Sequence, residues 1–171
     1  MKITQRFGVV ESFELPDDWI ADEPFQLGDR RTVVFRAPEN PEILFCNHYR
    51  DYPLERASAE KFQAILYSSF HDLDEREVED LEDVIEGLGN REVFSIVQAG
   101  TGYLNNRRII RIRGDWLEEP QSVMSCFMDV GGVGKRVQNL YFSTPQGLLD
   151  DWSELADNIF LSVKWSGMSS D

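Results

Sequence analysis

The sequence predicts an α+β domain, and three observations predict it. Strand-like runs follow one another from Glu92 to Ser143, with apolar residues recurring at a period of two. Leu148, Trp152, Leu155 and Ile159 then fall at i, i+4, i+7 and i+11, the apolar stripe of an amphipathic helix. Leu161–Trp165 closes the chain as a short strand. At 171 residues, with 42% hydrophobic and 28% charged side chains, the composition is that of an ordinary globular chain. Folding at this length buries roughly 70% of the unfolded surface, so no metal or disulfide staple is needed. No repeat or linker divides the chain, which reads as one domain over residues 1–171 with a flexible tail at 167–171.

In chain order, Val9–Leu15 alternates as a strand with Phe13 and Leu15 on one face. Pro16-Asp17-Asp18 turns it, because proline presets φ and aspartate bonds its own backbone. Trp19 and Ile20 are expected in the core. A turn at Leu27–Arg30 leads into a strand at Thr32–Arg36, and Ile43–His48 is the next. Ser58 is the expected N-cap of a helix through Phe70, with Phe62, Ile65, Leu66, Ser69 and Phe70 on its inner side. The acid-dense Asp72–Asp83 stretch has Val78, Leu81 and Ile85 at helical spacing, while Val84, Glu86 and Leu88 alternate; the expectation is an acidic loop feeding a strand at 82–87.

A strand at Glu92–Gln98 and a turn built from Gly100, Gly102, Asn105 and Asn106 follow. In Arg107–Arg113, Ile110 and Ile112 share the core face with Arg108, leaving Arg107, Ile109, Arg111 and Arg113 on a wet face. Met124, Cys126, Met128 and Val130 point inward from the next strand, with Ser125 and Asp129 opposite them. Leu140 and Phe142 oppose Val137 and Tyr141 in its partner. Thr144-Pro145 has the form of an N-cap followed by proline at the first helical position, which starts the final helix there.

The formal charge of −14 argues against nucleic acid and anionic membrane surfaces as direct partners, since both would be repelled. Neither a span of about 20 apolar residues nor a leader pattern is present, and the expected location is the cytoplasm. Cys46 and Cys126, 80 positions apart in apolar runs, read as buried free thiols.

The motifs with chemical flavour fail in detail. Asp72–Glu77 has Arg76 and Glu77 where a calcium loop needs an oxygen ligand and glycine. Gly131–Arg136 has Asp129 where a phosphate loop needs glycine, and Arg136 in place of its Ser or Thr. Cys46-x-His48 lacks the second ligand pair of structural zinc. Ser68, Ser69, Ser122 and Ser125 lack a nucleophile elbow, and Cys46 or Cys126 with His48 or His71 is a thiol dyad only if the fold assembles it. The expected cofactor and metal content is none.

Arg107, Arg111 and Arg113 are the strongest candidate partner-binding residues. Three guanidinium groups on one strand face require anions, supplied by Glu92 and neighbouring acids or by a carboxylate-bearing partner.

Phe13-Glu14-Leu15-Pro16-Asp17-Asp18-Trp19, then two strands and a helix, then Gly87-x-Gly89-Asn90-Arg91 ahead of three antiparallel strands, a helix after Thr144-Pro145 and a strand ending in Trp165, resembles the Mog1/PsbP-like fold family. The resemblance implies an antiparallel sheet flanked by helices on both faces. It also implies binding rather than catalysis, as in adaptor and chaperone members, and carries over no site residue. The expectation is a non-catalytic domain that binds another protein through its sheet face or the groove beside the Ser58–Phe70 helix. The alternatives are an immunity-type inhibitor of a basic toxin and a hydrolase-type enzyme with a thiol or carboxylate site.

Overall fold

The computed structural model describes residues 1–167, the side chain of Arg6 excepted. Eleven strands are present among them: β1 (Lys2–Phe7), β2 (Val10–Glu14), β3 (Ile20–Ala21), β4 (Phe25–Leu27), β5 (Arg30–Arg36), β6 (Leu44–Arg50), β7 (Phe94–Leu104), β8 (Arg107–Trp116), β9 (Gln121–Val130), β10 (Arg136–Pro145) and β11 (Lys164–Trp165). The helices are α1 (Arg56–Leu66), α2 (Glu75–Asp80), α3 (Glu82–Ile85) and α4 (Ser153–Leu161), with a 3₁₀ turn at Glu86–Gly89.

The large sheet is antiparallel in the order β3-β5-β6-β10-β9-β8-β7, with β4 also on β5, and a small sheet runs β1-β2-β11. Both faces of the large sheet are covered. One packs Met124, Cys126, Met128, Leu140 and Phe142 against Phe13 and Trp165 of the small sheet and Ala156, Ile159 and Phe160 of α4. The other packs Ile110, Ile112, Val123, Phe127 and Val137 against α1, α2, α3 and the 3₁₀ turn. The expected antiparallel sheet with helices on both faces is therefore present.

A chain of amides joins the two sheets. Gln138 Nε2 donates to Asn47 Oδ1 at 2.7 Å, and Asn47 Nδ2 to Gln5 Oε1 at 2.6 Å. Val9 N–H donates to Gln138 Oε1 at 2.7 Å. Gly8 makes this approach feasible, because a Cβ there would sit 2.0 Å from Gln138 Oε1 and φ is +64°.

Several expectations are corrected. The face of β8 expected to be wet is largely covered: Ile109 is as buried as Ile110 and Ile112, and Arg107, Arg111 and Arg113 are only partly exposed. Val123 and Phe127 of β9 are likewise core residues of the second face. Ile20 is exposed, as is Phe70, which lies beyond the end of α1. The helix starts at Arg56 with Glu55 at its N-cap, while Ser58 Oγ donates to the Asp83 carboxylate instead. The Asp72–Asp83 stretch is mostly helical, not a loop feeding a strand. Asp74 and Glu77 form a reciprocal capping box that starts α2, and Val78, Leu81 and Ile85 bury as their helical spacing allows. Gly100 and Gly102 lie inside β7, and the turn is made by Asn105 and Asn106 at φ 47° and 66°. Thr144-Pro145 ends β10, and α4 begins at Ser153. Of the expected tail, residues 168–171 lie outside the described residues.

Candidate functional site

Residues of β5, β6, β8, β9 and β10, with α3 and the 3₁₀ turn, line a cavity of mixed polar and apolar character of about 390 Å³ on the α3 side of the large sheet. Cross-strand rows set its floor. His48 of β6 lies opposite Asn139 of β10, which lies opposite Phe127 of β9; Tyr141 lies opposite Ser125, and Leu44 opposite Ser143. All of these residues line the cavity. Ser125 and Ser143 are 1% and 2% exposed, and their hydroxyls have no hydrogen-bond partner among the described residues.

One wall is an arginine pair closed by Glu86. Arg30 Nη2 donates to Glu86 Oε1 at 2.6 Å and Nη1 to Oε2 at 3.2 Å. Arg50 Nη1 donates to Glu86 Oε1 at 3.2 Å and to the Asp83 carbonyl at 2.7 Å, and Nη2 donates to the Val84 carbonyl. Arg50 is thus a buried cation that satisfies the carbonyl end of α3, a helix with no basic residue in its own last turn. Burial pushes the Glu86 carboxyl up, but the Arg30 hydrogen bond and the Arg50 and Arg30 charges outweigh it and hold it below the usual carboxylate range. Glu86 itself sits at φ 50°, a left-handed conformation that non-glycine residues rarely adopt.

His48 is held neutral. Burial, reinforced by the Arg50 and Arg30 charges, pushes its pKa down to about 4. Its Nδ1 lies 2.7 Å from Thr32 Oγ1 and its Nε2 lies 3.4 Å from Arg30 Nη1. Because a guanidinium only donates, Nε2 takes the acceptor role and Nδ1 carries the proton toward Thr32.

The fold does not assemble a thiol dyad. Cys46 shares the His48 face but is fully buried, and burial pushes its thiol up to about 12. Cys126 points to the opposite face and is pushed up to about 11 by burial. His71 lies on the surface, with Nδ1 at 2.6 Å from the Ser69 carbonyl and Nε2 at 2.7 Å from Glu77 Oε1. Among the described residues, no group of three or more His, Cys, Asp or Glu side chains is arranged to hold a metal ion.

Arg107, Arg111 and Arg113 do share a face, as their spacing requires, but each is half-buried. Arg107 stacks over Trp165 at 5.1 Å and donates to the Asp129 carbonyl at 3.2 Å. Arg111 lies opposite Cys126 and Gly100, its Nε buried without a partner among the described residues. Arg113 pairs with Asp150 rather than the expected Glu92. Sequence reasoning passed over Arg108, which donates to the Leu66 carbonyl at 2.8 Å and to the Ser68 carbonyl, closing the end of α1. It also missed Arg30, Arg50 and Glu86, which meet only when β5, β6 and α3 are packed together.

Beside these residues runs the outer edge of β7. Its C-terminal half is covered where Leu73 N–H donates to the Ala99 carbonyl and Thr101 N–H to the His71 carbonyl. Along Phe94–Gln98 no strand pairs on that side among the described residues, and a groove of about 610 Å³ lies there, rimmed by Asp72, Asp74 and Glu75. Through Glu75, Val78 and Arg91 it continues into a cleft of about 950 Å³ lined by six carboxylates, including Glu79 and Glu82. On the other face of the sheet, Arg111 and Arg113 flank the same strand.

No protein-family model matches the chain, and no curated protein matches it. Its fold is similar to the solution structure of cyanobacterial PsbP (CyanoP) from Synechocystis sp. PCC 6803, with a TM-score of 0.58 over 96% of this chain and 91% of that one. The fold is PsbP-like. At 13% identity the likeness concerns architecture alone. Among the described residues no helix of this PsbP-like chain is long and apolar enough to cross a membrane.

Proposed function

We propose that this PsbP-like domain is a non-catalytic cytoplasmic module that binds another protein by adding an extended segment of it to the free half of β7. The observation that carries the reading is the unpaired Phe94–Gln98 edge lying directly against an acidic groove. An exposed strand edge is a template for a further strand, whose backbone supplies affinity while alternate side chains supply specificity. Side chains of such a segment would face alternately the Asp72/Asp74/Glu75 rim and the Arg111/Arg113 side, so a segment of alternating charge with basic residues toward the groove is the expected ligand. Arg111 and Arg113 are then partner contacts, while Arg107, at the far end of the same face, stacks on Trp165.

A random-peptide selection on the folded domain tests this. Enriched peptides should carry alternating basic residues. They should lose affinity at least tenfold on a Val97→Lys variant, which puts a cation on an exposed lining position of the groove. Selection of helical or uniformly apolar peptides, or undiminished binding to Val97→Lys, would overturn the reading. The six-carboxylate cleft favours a second version, an immunity-type inhibitor that holds a folded basic toxin. In that version short peptides are not enriched, and a Glu79→Lys/Glu82→Lys variant loses the partner instead.

A further inference from the structure

We propose that the cavity beneath the Glu86–Gly89 turn binds an uncharged, polyhydroxylated small molecule of about monosaccharide size. This goes beyond the strand-addition reading and uses a different surface. The cavity, about 390 Å³, has the size of a small-molecule site and is too small for a folded partner.

Its floor carries polar groups that the protein leaves unused. Ser125 and Ser143 sit on adjacent strands, are almost fully buried, line the cavity and have hydroxyls without a partner among the described residues. A buried hydroxyl left unpaired costs stability, so two of them on one cavity floor mark a place where something else completes the bonds. Each hydroxyl both donates and accepts, which matches neighbouring hydroxyls of a ligand better than a carboxylate or an ammonium group. The Asn139 amide lines the same floor, one row away.

Charge around the cavity is balanced. Arg30 and Arg50 are both committed to Glu86, Arg50 also to two carbonyls, and Glu119 adds a second carboxylate at the rim. An anion would meet the Glu86 carboxylate and find only the Arg50 Nε–H without a partner among the described residues, and a cation would meet two guanidinium groups. Trp116, Leu88 and Val123 give the cavity apolar lining beside the serine hydroxyls, which suits the C–H face of a sugar-like ring. A flat heterocycle finds less room on Trp116, whose ring packs edge-to-face on Phe94 at 5.0 Å and lies close beneath Gly87.

The test is a protein-observed NMR titration of the full chain with D-glucose, D-galactose, D-mannose and myo-inositol, with phosphate and adenosine as contrasting probes. At least one neutral polyol should give saturable shifts at the Trp116 indole and along β9 and β10. A Ser125→Ala/Ser143→Ala variant should melt at the same or a higher temperature, since it removes unpaired hydroxyls, yet bind at least tenfold more weakly. If that variant does not fold, Asn139→Ala replaces it in the titration with the same expected loss. Absence of shifts with every polyol, saturation by phosphate or adenosine alone, or unchanged affinity in the variants overturns the proposal. So does a lower melting temperature of the double variant without any polyol binding, because the hydroxyls then serve structural water only.

Discussion

At the scale of single residues, burial decides the chemistry of the titratable groups. His48 has a pKa near 4 because burial and the Arg50 and Arg30 charges oppose its cation. An unfolded histidine titrates near 6.5. Below that value the unfolded chain takes up a proton that the folded chain refuses, so stability falls as pH drops from about 6.5 toward 4. His48→Asn keeps a donor toward Thr32 and removes the titration. Between pH 7 and 5 the wild type should lose about 1 kcal/mol more than the variant in urea unfolding, a figure discounted for the partial exposure of the ring. Parallel pH profiles for the two proteins would contradict the buried, neutral His48. The thiols follow the same rule. With Cys46 pushed up to about 12 and Cys126 to about 11, neither should react with iodoacetamide at pH 8 in the folded protein, and both should react in denaturant. Labelling of one thiol without denaturant would place it nearer the surface than its full burial permits.

Among the elements, the short helices depend on cations from the sheet. Neither α1 nor α3 has a basic residue in its last turn, and their final carbonyls are met by Arg108 and Arg50 respectively. Arg50→Met should cost about 2–4 kcal/mol, because it leaves the Asp83 and Val84 carbonyls unpaired and Glu86 with only Arg30. The helix α2 is instead started by its own residues. Asp74→Ala removes one half of the capping box, for an expected cost of about 1 kcal/mol. Chemical unfolding of the two variants separates the cases: equal losses would show that the tertiary contact of Arg50 adds nothing beyond a local cap.

For the whole molecule, a charge of −14 sets how a partner arrives. If a basic segment is captured at β7, its association rate should fall steeply between low and physiological salt while its dissociation rate changes little, measured by stopped-flow with a peptide from the selection. A salt-independent association rate would assign capture to apolar burial at Val97 and Leu117 instead.

Most of the longer strands were legible in the chain, because period-two patterns and turn residues are local and survive without tertiary context, whereas the cover on both sheet faces was implied only by the resemblance that the Phe13–Trp19 segment and the element order carry. The second face of β8 and of β9 was not legible as covered. Arginines interleaved with isoleucines look solvent-facing until α4 and the small sheet are laid over them. The helical nature of 75–85 was carried by Val78, Leu81, Ile85 and the Asp74/Glu77 box, but the acid density and the competing alternation at 84–88 masked it. Arg107, Arg111 and Arg113 were correctly placed on one face by periodicity. The cavity of Ser125, Ser143, His48 and Glu86 could not be seen, since its residues lie far apart along the chain and meet only through strand register. Sequence by itself determined the local elements and the net charge; tertiary structure alone decided which polar groups converge, because convergence depends on register and packing between segments that carry no trace of one another in their local patterns.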